Sequence, residues 1–95
     1  MKLISLKPAN NNIHKYVAVI EDSKGSRKTI RFGAFGMSDF TKHRDEERKK
    51  RYLERHQDNE NWNDPLTAGF WSRWLLWNKP TIAESLRDLK SRFGL

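Results

Sequence analysis

Four arginines recur at a spacing that would place them on one side of a helix. Arg44, Arg48, Arg51 and Arg55 stand at i, i+4, i+7 and i+11, so on a helix they share an arc of about 60°. Eleven residues of helix rise by about 16 Å, and the guanidinium fork suits bidentate contacts with phosphate. The spacing predicts a phosphate-binding stripe. The alternative is a solvated helix face on which Glu47 and Arg51 form an i,i+4 ion pair.

A second basic surface is predicted on an early strand. Arg27, Thr29 and Arg31 alternate with Ile30 and Phe32, and successive side chains of a strand point to opposite faces. Residues 1–33 hold seven basic and two acidic side chains, a balance of +5. The predicted nucleic-acid-binding residues are Arg27, Arg31, Arg44, Arg48, Arg51 and Arg55.

The remaining candidates for chemistry are carboxylates and histidines near the arginines. Asp39 and His43 stand four residues apart, and Glu46 and Glu47 follow, which is compatible with a metal-assisted nuclease. Carboxylates at helix starts are more commonly caps. The chain has no cysteine and three histidines, and the histidines have no close metal-ligand spacing. We therefore predict no metal, no cofactor and no enzymatic activity.

Strand patterns precede helix patterns along the chain. Apolar alternation and β-branched residues indicate strands within residues 2–33, and a turn is predicted after Glu21. Residues 33–40 read as a loop with two glycines. Helices are predicted at about 45–57, 65–77 and 82–93. The expected fold is α+β: a small antiparallel sheet of about three strands followed by three helices, in a single domain of residues 1–95.

Capping residues mark the start of each predicted helix. Asp45 is a candidate N-cap for the first helix, and Asp64 before Pro65 for the second. Thr81 with Glu84 three residues later indicates a capping box for the third.

The second predicted helix supplies most of the predicted core. On a 100° helical wheel, residues 65–77 present a wide apolar arc that leaves Leu76 outside it. The predicted core comprises Phe70, Trp71, Trp74, Trp77, Leu86 and Leu89.

Length and charge limit the class of protein. Ninety-five residues suffice for one modest core. A formal charge of +7 favours polyanionic partners. No run approaches the ~20 apolar residues of a membrane-spanning helix, so we expect a soluble protein that does not bind membranes.

Two blocks carry a resemblance to known sequences. Residues 33–41, which include Gly-Met-Ser-Asp-Phe-Thr, and residues 62–81, which include Asp-Pro-Leu-Thr-Ala-Gly-Phe-Trp-Ser-Arg-Trp-Leu-Leu-Trp-Asn-Lys-Pro-Thr, resemble a family of short basic proteins encoded by large double-stranded DNA viruses. The resemblance extends over about residues 14–93. It implies a viral origin, and the family has no assigned function or site residues to carry over.

The sequence therefore predicts a non-enzymatic basic viral protein that binds nucleic acid, with DNA favoured, through phosphate contacts. The alternative is a minor virion, capsid or assembly protein that binds viral structural proteins. Either function implies an intracellular location in a host cell, in the cytoplasm or nucleus, or packaging in the virion. The oligomeric state is left open.

Overall fold

Three strands form an antiparallel sheet in the computed structural model, which describes all 95 residues. The strands are β1 (Lys2–Pro8), β2 (His14–Glu21) and β3 (Arg27–Ala34), in the spatial order β1-β2-β3. The turn between β2 and β3 forms because the Asp22 carboxylate accepts the backbone N–H groups of Lys24 and Ser26 at 2.9 and 3.0 Å. The predicted sheet is confirmed.

The helices follow the sheet. They are α1 (Phe40–His43), α2 (Glu46–His56), α3 (Ala68–Trp71) and α4 (Ile82–Phe93). The loop predicted at 33–40 is shorter than expected, because Gly33 and Ala34 belong to β3 and Phe40 begins α1. The short α1 was not predicted; Asp39 caps it by accepting the Thr41 N–H at 2.9 Å. Sheet and helices form one globule with a radius of gyration of 12.9 Å, close to the ~12 Å of a compact chain of this length. The predicted α+β fold class is thus confirmed.

The second predicted helix begins three residues later than expected. Asp64 and Pro65 open a turn instead, in which the Thr67 N–H reaches the Asp64 carbonyl at 3.2 Å. Proline suits the second position of such a turn. Thr67 then becomes the N-cap, and its hydroxyl accepts the Phe70 N–H at 3.3 Å.

The same helix changes its winding after Trp71. Ser72–Leu76 form a π-helical turn, closed by the Trp77 N–H on the Ser72 carbonyl at 3.1 Å. A π turn spaces its hydrogen bonds five residues apart, so each residue advances by less than the 100° of an α-helix. Leu75 and Leu76 both reach the core, 0% and 2% exposed. The wheel's placement of Leu76 outside the apolar arc was therefore wrong.

The core lies between one face of the sheet and the last two helices. The sheet contributes Ala18, Ile20, Ile30 and Phe32, and the helical half contributes Phe70, Trp71, Leu75, Leu76 and Leu89. Of the predicted core residues, Phe70, Trp71 and Leu89 are fully buried. The other three predicted core residues, Trp74, Trp77 and Leu86, are only half-buried against this core.

None of the helices combines the length and the apolar character needed to cross a lipid bilayer.

Candidate nucleic-acid interface

Helix α2 carries three of the six predicted phosphate-binding arginines. It begins after Asp45, whose carboxylate accepts the N–H groups of Glu47 and Arg48 at 3.0 and 3.3 Å. Glu46 and Glu47 occupy its first turn, where negative charge is favourable because of the helix dipole. The predicted helix at 45–57 is observed as Glu46–His56.

One face of α2 is fixed to the helical half of the fold. Tyr52 is buried and stacks on Trp77 with centroids 4.2 Å apart and planes 3° from parallel. Lys49 donates through Nζ to the Asn78 carbonyl at 2.7 Å and lies 4.8 Å from the centre of the Phe40 ring. Burial lowers the pKa of Lys49 and raises the pKa of Tyr52. These contacts determine which face of α2 is turned towards solvent.

Arg48, Arg51 and Arg55 are exposed on α2. None of them has a carboxylate oxygen within 4.0 Å, and the possible pair between Glu47 and Arg51 is not formed. The helix carries five basic and three acidic side chains, but none of its glutamates forms an ion pair with these three guanidinium groups. They are available to an external anion.

Arg44 does not belong to this group, so the predicted stripe of four was wrong at its first member. It ends α1 in the left-handed conformation, with φ 52°, and precedes the N-cap of α2. Its Nε donates to the Pro80 carbonyl at 3.2 Å. The helical spacing fails at Arg44 because the chain changes direction between α1 and α2.

Arg27 and Arg31 lie on the face of the sheet opposite the core. Both are exposed and alternate with the buried Ile30 and Phe32. Arg27 donates through Nε to Glu21 at 3.1 Å, whereas Arg31 has no ion pair. Exposed ion pairs are weak, so both cations remain accessible.

The strand register places Lys2 and Lys7, which were not among the predicted binding residues, across β2 from Arg27 and Arg31. Val17 is opposite Lys7 on one side and Arg31 on the other, and Glu21 is opposite Lys2 and Arg27. Neighbouring strands are about 4.8 Å apart, so Lys7 and Arg31 start about 10 Å from each other across β2. The alternation in residues 2–6 was visible in the sequence, but pairing β1 with β2 requires the fold.

Two separate basic surfaces result. One is the α2 surface of Arg48, Arg51 and Arg55, and the other is the sheet surface of Lys2, Lys7, Arg27 and Arg31. No side-chain hydrogen bond or ion pair joins them.

The carboxylate and histidine considered for metal-assisted chemistry have other partners. Asp39 is 2% exposed, forms an ion pair with Lys15 and accepts both the N–H and the hydroxyl of Thr41. His43 accepts the Asp45 N–H on Nδ1 at 3.0 Å, and its Nε2 is enclosed without a partner. Burial, followed by the charge of Arg48, lowers the pKa of His43. No three His, Asp or Glu side chains converge as possible metal ligands.

The tryptophan-rich segment uses its rings inside the fold. The Arg73 guanidinium lies 4.2 Å from the centre of Trp74 and 5.5 Å from that of Trp62, and Nη1 donates to the Trp77 carbonyl at 2.8 Å. Burial lowers the pKa of Arg73. Arg92 also lies over Trp74, at 4.7 Å. These cation–π contacts stabilise the fold and occupy ring surface that base stacking would require.

Part of the chain matches a known protein family. Residues 4–56, more than half of the chain, match the family model described as a family of unknown function, DUF5754. The matched segment runs from β1 to the last residue of α2, so it contains both basic surfaces except Lys2. No curated protein and no solved structure matches the chain.

Proposed function

The chain belongs to the DUF5754 family of unknown function, and we propose that it is a non-enzymatic nucleic-acid-binding protein that holds phosphates through the α2 surface. The supporting observation is that Arg48, Arg51 and Arg55 are exposed on one rigidly anchored helix with no carboxylate within 4.0 Å. Because a duplex carries one negative charge per ~1.7 Å of its axis, the ~10 Å between Arg48 and Arg55 spans several phosphates.

DNA is the proposed nucleic acid, and the sheet surface supplies further non-specific contacts. Phosphate contacts of this kind fix position without reading sequence. The resemblance of residues 33–41 and 62–81 to proteins of large double-stranded DNA viruses supports a role in an infected cell. There the protein works in the cytoplasm or nucleus, or is packaged in the virion with DNA.

Salt dependence tests this function. For a labelled duplex, the logarithm of the association constant should fall linearly with the logarithm of salt concentration, by about 0.9 per phosphate contacted. Three arginine contacts predict a slope of about −2.7 or steeper. An affinity that does not change with salt, or no measurable binding at about 50 mM salt, would contradict the proposal.

A second candidate function is that of a minor virion or assembly protein, supported by an exposed apolar patch. Ile13, Phe35 and Met37 are 69%, 56% and 64% exposed, and the Phe35 N–H is bonded to the Ile13 carbonyl at 3.0 Å. Phe and Met are enriched at protein interfaces. This candidate predicts co-sedimentation with capsid proteins of the source virus, lost on Ile13→Ser and Met37→Gln, together with weak binding to DNA.

A further inference from the structure

An open groove lies at the end of the sheet where β1 ends and β2 begins. It has a volume of about 850 Å³ and is bounded by the loop of residues 35–39, by α1 and by the start of α4. This volume falls within the range of about 300–1,000 Å³ typical of sites for small ligands. None of the predicted site residues except Arg44 lines it.

The charge that the groove presents is positive. Its floor contains Lys15 and Asp39, whose side chains are 11% and 3% exposed and neutralise each other in an ion pair. The other charged residues of the lining are Lys42 and Arg44, both exposed and without an ion pair. An anionic ligand would therefore meet two cations that have no carboxylate partner, and no unpaired carboxylate.

Aromatic and apolar surface stands beside these cations. Phe35 and Met37 line the groove and are mostly exposed. Tyr16 and His14 line it as well and are half-buried. Unlike Trp74, the Phe35 ring has no aromatic or cationic partner within the chain. Its face is open to a flat ligand.

The groove is also close to the α2 surface. Arg48 is near enough to His43 in α1 for its charge to affect that histidine, and Arg44 stands between α1 and α2. Lys42 and Arg44, which line the groove, therefore lie close along the chain to Arg48, the first cation of the α2 surface.

We propose that this groove binds unpaired nucleotides of single-stranded nucleic acid, with a base stacked on Phe35 and adjacent phosphates on Lys42 and Arg44. A cationic groove combined with an exposed aromatic ring is the usual arrangement for single strands. Bases of a duplex are already paired and stacked, so they cannot offer a free face to Phe35. This inference rests on the proposed function, since it specifies the form of nucleic acid that the groove binds in addition to the phosphates held by the α2 surface.

Fluorescence anisotropy tests whether the groove binds unpaired nucleotides. The three labelled probes are a twelve-nucleotide thymidine strand, an abasic strand with the same phosphates, and a twelve-base-pair duplex. The protein should bind the thymidine strand more tightly than the abasic strand. Phe35→Leu keeps an apolar side chain but removes the ring, and it should weaken binding of the thymidine strand by about five-fold or more. Its affinity for the abasic strand and the duplex should stay unchanged.

Two control variants separate the groove from its surroundings. Ile13→Ser removes a neighbouring exposed apolar side chain that does not line the groove and should leave all three affinities unchanged. Lys42→Gln should weaken both single strands, whereas Arg87→Gln, on an exposed position of α4, should affect neither beyond the general loss of one charge.

The outcomes distinguish this inference from the proposed function. Equal affinity for the thymidine and abasic strands, or no effect of Phe35→Leu, would overturn the inference while duplex binding upheld the proposed function. That result is also the one expected if the groove binds a protein. No binding of any probe would overturn both.

Discussion

Replacing Arg48, Arg51 and Arg55 together by glutamine should reduce the salt dependence of DNA binding while preserving the fold. Glutamine is a good helix former, and the three side chains are exposed and make no ion pair. Surface substitutions of this kind usually change the free energy of unfolding by less than about 0.5 kcal/mol each. The contacts that anchor α2, made by Tyr52 and Lys49, are untouched.

The magnitude follows from counting charges. Each lost duplex contact flattens the plot of log affinity against log salt by about 0.9, so the triple variant should lose about 2.7 from the slope. A matched control replaces Lys24, Arg87 and Lys90 by glutamine. These residues are also exposed and unpaired, and either variant lowers the formal charge from +7 to +4.

Anisotropy titrations of one labelled duplex at four or more salt concentrations give the slopes, and urea denaturation checks stability. If phosphate binding resides on α2, the two variants differ in slope although their net charges are equal. Equal slopes in two folded variants would show that only net charge matters, and the α2 surface would then have to be abandoned as the binding site.

Three further predictions concern the fold. Because the pKa of His43 is lowered in the folded state, the imidazole is protonated more readily in the unfolded chain, so the free energy of unfolding should fall as pH decreases below about 6.5, by less than about 1.4 kcal/mol per pH unit. Urea titrations of wild type and His43→Asn at several pH values measure how this free energy depends on pH. Identical pH dependence in the two proteins would refute the prediction. Gly33→Ala should destabilise the fold more than Gly36→Ala, since both glycines have positive φ but only at Gly33 would a Cβ lie 2.9 Å from the Leu76 side chain. We expect Gly36→Ala to lower the free energy of unfolding by about 1–2 kcal/mol. Equal losses of stability in thermal melts would contradict the steric clash at Gly33. Trp71→Ala should lower the free energy of unfolding by about 3–5 kcal/mol because the ring is fully buried. Chemical denaturation measures this free energy, and a loss below about 1 kcal/mol would show that Trp71 does not belong to the core.

Local patterns in the sequence determined most of the secondary structure. The alternation in residues 27–32, the turn residues after Glu21 and the caps Asp45 and Thr81 each act over a few neighbouring residues. Each predicted an element or a boundary that the structure contains. Asp39 could also have been read as the cap of α1, but four helical residues give too short a periodic signal to recognise.

The functional surfaces depended on contacts between distant residues. Arg44 leaves the predicted stripe because the chain adopts φ 52° there, where its Nε reaches Pro80. Lys7 joins Arg31 only through the register of two strand pairs. The groove beside Phe35 exists because the loop, α1 and α4 meet at one end of the sheet.

The sequence by itself determined charge, element types and the alternation that turns Arg27 and Arg31 outward, because these properties depend on composition and on periods of two and 3.6 residues. Only the tertiary structure decided which side chains are free. Arg48, Arg51 and Arg55 stay unpaired while Asp39 is sequestered by Lys15, 24 residues away. Such pairing is set by packing across the whole chain, which no local pattern encodes.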